Sequence, residues 1–293
     1  MTTSFDHDLL VRRRRRVAAR GDAPTFLLAA AVDDLAERLA AIRRQFPIAV
    51  DLATPAPMLA SALANAAQVG RVFRLDPGGG LGGRQPSAAG STAAAGLELL
   101  PLGAASVDLI VSALALHWAN DLPGLMAQAR AALRPDGLFL VALLGGETLR
   151  ELRFALAGAE SEIRGGAAPR VAPFAALNDL GTLLQRAGFA LPVVDRDRLI
   201  VRYPSAVELM ADLRSMGCAN ALVARDRRPL TRQIVARVAA IYAEHFSDGD
   251  GRVRATFEII SLAGWAPHDS QQRPLRPGSA IASLATALAS KKG

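Results

Sequence analysis

Three acidic residues stand where strands of the chain are expected to begin or end. Asp51 lies near the end of a short apolar run, Asp76 follows a second run, and Glu98 precedes a third at 107–116. In a doubly wound sheet, ligands bind outside the carboxyl ends of the strands, near the point where the strand order reverses. An acidic side chain there accepts hydrogen bonds from ribose hydroxyls. We therefore expect Asp51, Asp76 and Glu98 to line a site for a ribose-containing ligand.

The loop after the first of these runs lacks the glycines that such a site normally uses. Ala53, Pro55 and Pro57 stand where glycines would let the backbone pass close beneath a ligand. Proline also fixes φ and removes an N–H donor. A further acidic contact, expected two residues before Glu98, is replaced by Gly96. We expect ligand binding to be weak or absent.

Three residues near this site have both a functional and a structural interpretation. Asp76 suits a ribose contact, but an aspartate also commonly forms the turn that ends a strand. His117 could act as a base or a hydrogen-bond donor, or it could form a corner in which Trp118 packs inward. Thr148 could shape a substrate loop after two glycines, but we expect it to cap the N-terminus of a helix over 149–156.

The stretch 97–153 contains the elements that position these residues. A buried apolar strand at 107–116 is followed by a helix at 125–133, a Pro-Asp-Gly turn at 135–137 and a second apolar strand at 138–144. Long apolar runs of this kind are typical of parallel strands that are buried on both faces. The stretch is therefore a β-α-β unit.

The sequence predicts an α/β fold: a doubly wound, mostly parallel sheet of seven strands with added helices at both ends. The first strand is expected at Ile48–Leu52, so that Asp51 and Asp76 end adjacent strands. The expected division is a helical extension over 1–46, the sheet domain over 47–203, and a C-terminal helical extension and tail over 204–293 packed on the same domain.

Two further parts of the chain carry specific expectations. Residues 77–96 are rich in Gly, Ala, Ser and Pro, which predicts a flexible loop where a helix would normally cross the sheet. Residues 189–195 and 199–203 are predicted to pair as two antiparallel strands, and 256–263 is predicted as a last strand.

The chain is basic, with 34 Lys and Arg against 27 Asp and Glu and a net charge of +7. Such a balance suits nucleic acid, a membrane surface or an acidic protein. The run Arg12–Arg16 could dock on such a partner, but we favour a solvated helix face, since charge runs usually are. We expect no nucleic-acid partner, and leave peripheral contact with a membrane open.

Other residues limit the class of protein. A single cysteine, Cys218, excludes an internal disulfide and a cysteine-based metal cluster. His7, His245 and His268 are too dispersed in sequence to indicate a metal site, so none is expected. No apolar run reaches the roughly 18–20 residues that span a bilayer, and the N-terminus lacks a signal-peptide pattern. We expect a cytoplasmic protein.

Segments spread over nearly the whole chain resemble one family. The most specific are Ser-Ala-Leu-Ala-Leu-His-Trp-Ala-Asn-Asp-Leu-Pro at 112–123 and Gly-Gly-Glu-Thr-Leu-Arg-Glu-Leu-Arg at 145–153. The chain resembles the methyltransferase-like family close to the mitochondrial complex I assembly factor 5, an arginine hydroxylase, and to the biotin-pathway malonyl-carrier-protein methyltransferase. The other segments that carry the resemblance are Phe5-Asp6 with the arginine run, 133–137, 178–181, 187–189, 203–204, 208–213, 216–217, 264–265 and 274–279.

The resemblance implies a class I S-adenosylmethionine (SAM) methyltransferase fold, with SAM as cofactor and Asp51, Asp76 and Glu98 at cofactor positions. It also implies a part in maturing respiratory complex I, with a subunit of that complex as partner. One expected function is a SAM-dependent methyltransferase with an eroded cofactor loop. The alternative is a non-methylating complex I assembly factor or protein-arginine hydroxylase, and a catalytically silent binding module stays open as a third. The catalytic residues stay unassigned.

Overall fold

The computed structural model describes residues 3–78 and 91–272. Within these ranges lie eight α-helices, a 3₁₀ helix at Leu116–Trp118 and seven strands. The helices are α1 His7–Arg20, α2 Phe26–Ala40, α3 Met58–Ala64, α4 Leu122–Ala132, α5 Arg150–Arg164, α6 Leu177–Arg186, α7 Ala206–Ser215 and α8 Arg232–Phe246. The strands are β1 Phe46–Leu52, β2 Val69–Asp76, β3 Thr92–Ala94, β4 Val107–Ala113, β5 Leu133–Leu144, β6 Ala190–Tyr203 and β7 Val253–Trp265.

The strands form one sheet in the order β3-β2-β1-β4-β5-β7-β6. The first five strands of this order run parallel, whereas β7 is antiparallel to both β5 and β6. This order reverses between β1 and β4, which places the switch point of the sheet there. The prediction of a seven-stranded, mostly parallel sheet is confirmed, and the first strand begins slightly earlier than expected, at Phe46.

The centre of the sheet is apolar on both faces because helices cover both. Every residue of β4 is buried, and β5 is buried from Gly137 onward, as expected for strands inside an α/β sheet. Helices α2, α3, α5, α7 and α8 pack on one face, and α1, α4 and α6 pack on the other. The sheet is therefore a rigid platform whose strand ends can hold a site.

The C-terminal part of the chain contributes a strand to the interior of the sheet. β7 lies between β5 and β6, so the sheet draws on residues beyond 203. Helices α1 and α2 agree with the helical character predicted for residues 1–46. The division of the chain at residues 46 and 203 stays a proposal.

Two local predictions differ from the structure. Residues 189–195 and 199–203 do not pair with each other: β6 runs continuously through the charged Asp195–Arg198 segment and pairs with β7. Charges are common on edge strands because they discourage pairing with other chains. The turn expected at 135–137 is the irregular beginning of β5, where Asp136 has a φ of 62°.

The predicted loop at 77–96 is only partly covered by the structure. Its residues 79–90 lie outside the described residues. Thr92–Ala94, at its end, form the short edge strand β3, which pairs in parallel with β2. The predicted flexibility of the segment stays a prediction.

Candidate functional site

Asp51 and Asp76 meet at the carboxyl edge of the sheet, as predicted. β1 and β2 are parallel neighbours with Asp51 opposite Arg74 in the register. Arg74 lies two residues before Asp76, so both side chains point to the same face of β2. Its Nε lies 3.4 Å from an Asp51 oxygen, and its Nη1 lies 3.4 Å from an Asp76 oxygen. A buried guanidinium therefore sits between the two predicted cofactor carboxylates.

The carboxylate of Asp51 is the least satisfied polar group of this cluster. Its side chain is fully buried, and neither oxygen accepts a well-formed hydrogen bond from the described residues. The Nε of Arg74 also lacks a hydrogen-bond partner there. Burial raises the pKa of Asp51 to about 6, although the nearby hydroxyl group of Thr54 and the charge of Arg74 partly oppose the rise. A buried carboxylate whose charge is paired with Arg74 but whose oxygens lack hydrogen bonds suits a ligand that donates hydrogen bonds.

The carboxylate of Asp76 already has partners within the protein. One of its oxygens accepts a hydrogen bond of 2.8 Å from the backbone N–H of Gly78, as in the turn interpretation of this residue. Arg74 also donates a hydrogen bond of 2.7 Å to the carbonyl of Thr54. Asp76 thus combines the turn role with the position required for a ribose contact.

The loop after β1 keeps the backbone turn of a glycine loop. Ala53 has a φ of 60°, a left-handed conformation that favours glycine. It is buried, whereas Pro55 and Pro57 are exposed, and Pro57 directly precedes α3. The side chain that intrudes on the interior of this loop is therefore the methyl group of Ala53 rather than either proline ring.

Helix α1 lies over this loop and places its arginine run there. Arg14 donates to the carbonyl of Ala53 at 3.2 Å, and Arg15 donates to the carbonyl of Gly78 at 3.3 Å. Arg12 and Arg16 are exposed. The solvated-face interpretation holds for these two, but it is wrong for Arg14, which was missed as a site residue because α1 is distant in sequence from the loop that it covers.

Glu98 is held apart from the arginine-bridged pair. Its two carboxylate oxygens accept hydrogen bonds from the backbone N–H groups of Asn120 and Asp121, at 2.8 and 3.1 Å. The ring of His7, on α1, lies 3.5 Å from the same carboxylate. Glu98 thus fastens the corner before α4 to α1. Its role as a cofactor contact stays a proposal, as do those of Asp51 and Asp76.

His117 and Trp118 form the structural corner that the second interpretation predicts. Trp118 packs inward against Phe5, with ring centroids 5.2 Å apart, as the structural interpretation predicts. The His117 ring accepts a hydrogen bond from the N–H of Leu144 and packs on Phe174. Burial, together with the charge of Arg14, lowers the pKa of His117 to about 3. The imidazole is therefore neutral at pH 7 and a weak base, and its Nδ1 is already used as the acceptor for Leu144.

Thr148 does not cap a helix, contrary to the prediction. Helix α5 begins at Arg150 after Leu149, which has a φ of 55° and provides no side-chain cap. The Thr148 hydroxyl donates to the carbonyl of Glu258 and accepts from its N–H, at 3.2 and 3.1 Å. A buried threonine is used here to join the loop after β5 to β7, a long-range pairing that sequence spacing does not reveal.

The described residues also settle two other points. No helix in the ranges 3–78 and 91–272 is long and apolar enough to cross a membrane. In the same ranges, no three His, Cys, Asp or Glu side chains are grouped as the ligands of a metal ion would be.

Comparison with known proteins places this geometry among methyltransferase folds. A family model described as a methyltransferase domain matches residues 48–141. A Bacillus halodurans structure described as a methyltransferase superposes with a TM-score of 0.55, covering 82% of this chain and 100% of that chain at 16% identity. At that identity the likeness shows the fold alone, which is the predicted class I SAM methyltransferase fold.

Two curated relatives match over longer stretches of sequence. The human mitochondrial arginine-hydroxylase NDUFAF5 is 40% identical over 286 residues, covering 96% of this chain and 82% of the relative. The malonyl-[acyl-carrier protein] O-methyltransferase of Laribacter hongkongensis is 38% identical over 187 residues, covering 64% of this chain and 60% of the relative. The first match includes the extensions on either side of the methyltransferase domain.

Proposed function

Because this chain belongs to the family of the mitochondrial arginine-hydroxylase NDUFAF5, we propose that it hydroxylates an arginine side chain of a respiratory complex I subunit. The observation that carries the proposal is the length of the match, 96% of this chain at 40% identity. The match takes in α1 and the C-terminal helices that enclose the site, well beyond residues 48–141 of the methyltransferase domain. Because the helices around the site are part of the match to NDUFAF5, the match supports a similar kind of substrate.

SAM is the ligand proposed for the carboxyl edge of the sheet. The oxygens of Asp51, which lack a hydrogen-bond partner among the described residues, fit an ammonium group, and Asp76 fits the ribose hydroxyls. Arg14, over the loop at Ala53, is placed to face the carboxylate of the same ligand. When bound, SAM supplies a methyl group on a positively charged sulfur.

Arg74 limits how strongly that ligand is held. Its guanidinium already neutralises Asp51 and Asp76, so the site offers less negative potential to a cationic ligand than two free carboxylates would. The methyl group of Ala53 adds steric crowding in the same loop. We therefore propose weak SAM binding, on a site whose geometry is kept.

The remaining residues of the site are buried and exclude water from it. Ala53, Asp51 and Trp118 are buried at the edge of the sheet, which strengthens electrostatic interactions inside the site. His117 is neutral at pH 7 and lies beside Trp118 and Phe174. We propose that His117 acts as a neutral positioning residue, which holds the end of β5 through the N–H of Leu144, rather than as a base.

The second candidate function is a SAM-dependent methyltransferase, favoured by the strand order and by Asp51 and Asp76 at adjacent strand ends. Methylation would move a methyl group from SAM to a nucleophilic atom, releasing a proton and S-adenosylhomocysteine. Hydroxylation would instead replace a C–H hydrogen by a hydroxyl group. The oxygen atom of this hydroxyl group would come from an oxidant such as dioxygen. A reductant would supply an electron pair, and the second oxygen atom would leave as water.

We also propose a cellular location and a division of the chain into units. The names of the NDUFAF5 relatives place those proteins in mitochondria. For this chain we propose a cytoplasmic location, with peripheral contact at the membrane where a complex I subunit is assembled. The proposed units remain the N-terminal helices to residue 46, the sheet domain to 203 and the C-terminal part that packs on it.

Deleting the gene is expected to lower the amount of assembled complex I and its NADH-oxidising activity. The physical reason is that an unmodified subunit would be incorporated poorly. Complementation with the native gene should restore both quantities, measured on native gels and in membrane vesicles. Normal complex I in the deletion strain would contradict the proposed function.

Restoring glycine at Ala53, Pro55 and Pro57 is expected to strengthen SAM binding by about 1–3 kcal/mol, the size of relieving strain or unpaired polar contacts. The added chain freedom should cost up to about 1 kcal/mol of folding stability at each proline position, whereas at Ala53, with a φ of 60°, relief of backbone strain offsets this cost. Isothermal titration measures the first effect and urea unfolding the second.

The single variant Ala53→Gly is the matched comparison. Because Ala53 is buried with a φ of 60° and both prolines are exposed, it should give most of the gain in affinity. A native protein that already binds SAM in the micromolar range, with no tighter binding in either variant, would refute the account of this loop.

A further inference from the structure

A cavity of about 670 Å³ lies beside the carboxyl edge of the sheet. It is enclosed by α1, α5 and α7 and by the segments 170–174 and 216–230, and Trp118 forms part of its wall. Its size is that of a site for a small ligand. Most of its wall is aliphatic or aromatic, including Leu144, Leu149, Leu152, Phe174, Met210 and Phe257.

The charged residues around this cavity are almost all basic. Five arginines line it, together with a single acidic residue, Asp226. Asp226 already forms ion pairs with Arg164, Arg170 and Arg228. An arginine side chain that entered the cavity would therefore meet like charges and find no free carboxylate in its lining. The cavity is suited to an anion.

Three of the five arginines are committed to the protein itself. Arg13 donates to the carbonyls of Ala219 and Asn220. Arg170 pairs with Glu160 and Asp226. Arg225 pairs with Asp6. These three arginines build the wall of the cavity rather than offering free charge.

The other two arginines are uncommitted. The guanidinium groups of Arg214 and Arg227 have no hydrogen bond or ion pair with residues 3–78 or 91–272, and both residues are exposed at the cavity. Free guanidinium groups bind carboxylates strongly through paired hydrogen bonds. An apolar interior with two free cations at its rim is complementary to a ligand with an aliphatic chain and an acidic head.

We propose that this cavity binds a single-chain amphipathic anion of the fatty-acid class. The carboxylate lies at Arg214 and Arg227, and the aliphatic chain lies along the apolar wall toward Trp118. This ligand is distinct from the arginine substrate of the function proposed above.

The test is a titration with three probes that share one chain: dodecanoate, dodecanol and dodecylammonium, each below its micelle concentration. Trp118 reports on the cavity, and a Trp265→Phe background removes the emission of the other of the two tryptophans in the chain. We expect dodecanoate to bind about tenfold more tightly than dodecanol, and dodecylammonium to bind more weakly than either. Equal affinity for dodecanoate and dodecanol, or no binding of either, would overturn the proposal.

Variants assign the head-group site. Replacing Arg214 and Arg227 by glutamine should weaken dodecanoate about tenfold and leave dodecanol unchanged. The matched control replaces Arg186 and Arg198, two exposed arginines outside the cavity, and should leave dodecanoate affinity unchanged. An equal loss in both double variants would overturn the proposal.

Vesicles of phosphatidylglycerol distinguish a cavity ligand from a lipid surface. Sedimentation with these vesicles by a protein that shows no dodecanoate binding at Trp118 would show surface binding in place of the proposed site and overturn the proposal. The titrations need neither SAM nor a protein substrate, so their outcome is independent of the proposed function.

Discussion

Replacing Glu160 by glutamine is expected to lower the free energy of unfolding by about 3–5 kcal/mol, the usual cost of removing one partner from a buried ion pair. The Glu160 side chain is only 1% exposed. One oxygen accepts hydrogen bonds from Arg164 and Arg170 at 3.0 and 2.7 Å, and the other accepts from the N–H of Ala168 at 3.1 Å. Glutamine keeps the volume but leaves two arginines sharing Asp226.

The pH dependence of this effect has a definite sign. Burial is the largest single influence and would raise the pKa of Glu160, but the hydrogen bonds from Arg170 and the N–H of Ala168, together with the charges of Arg170 and Arg164, lower the pKa below its usual value. The stabilisation is therefore fully present above the usual glutamate range and is lost as pH falls through the folded-state pKa. The difference between native and variant protein should shrink under acid conditions.

Glu162→Gln is the matched control, because Glu162 lies two residues away on α5 and pairs with Arg237 at the surface. Its substitution should leave stability close to native, since exposed ion pairs contribute little. Urea unfolding followed by circular dichroism measures both variants. Equal stability of Glu160→Gln and Glu162→Gln would contradict the role given to this network.

Replacing Asp51 by asparagine is expected to stabilise the protein at pH 7 by about 1–3 kcal/mol. The reason is that the pKa of the buried Asp51 is raised to about 6, above its value in an unfolded chain of about 4. Keeping the group ionised at neutral pH therefore costs about 3 kcal/mol of folding stability. Arg74 retains Asp76 as a partner in the variant.

The gain in stability should follow the titration of Asp51. Below about pH 4 the carboxyl group is protonated in both states, so native and variant should be equally stable. The native protein should then lose stability relative to the variant as pH rises from about 4 to about 6. The control Asp33→Asn removes a charge from an exposed position of α2, and should leave stability near native at every pH. A destabilised Asp51→Asn variant at pH 7 would show that the carboxylate is satisfied.

The same substitution should abolish what SAM binding the native chain has, because asparagine carries no charge for an ammonium group. A residue that costs stability but supports a ligand is typical of functional sites. Asp51 therefore links the unsatisfied group seen in the structure to the proposed cofactor.

The sheet could be predicted from sequence because its signals are local. β4 and β5 are continuous apolar runs, and the helix between them has apolar residues at helical spacing. Both patterns can be recognised within a short stretch of sequence. Asp51 and Asp76 could be placed at adjacent strand ends because the order of parallel strands is restricted by handed crossovers. The prediction of two paired strands failed at Asp195–Arg198. A charged run of this kind resembles a turn in the sequence, and its place in the edge strand β6 is visible only in the structure.

The components of the site that could not be predicted come from long-range contacts. Arg74 gave a weak signal, since it lies two residues before Asp76 and so on the same face of β2. Arg14 reaches the loop at Ala53 across 39 positions of sequence, and nothing in its arginine run marks it out. Thr148 resembles a helix cap locally, but it pairs with Glu258 across 110 positions.

The measurement that most directly tests the central claim is peptide mass spectrometry of complex I subunits from native, deletion and complemented strains. The account predicts one arginine that carries the mass of one additional oxygen atom in the native and complemented strains and is unmodified in the deletion strain. An arginine that carries a methyl group instead would contradict hydroxylation and establish the methyltransferase alternative. Identical arginine peptides in all three strains would contradict the proposed function altogether.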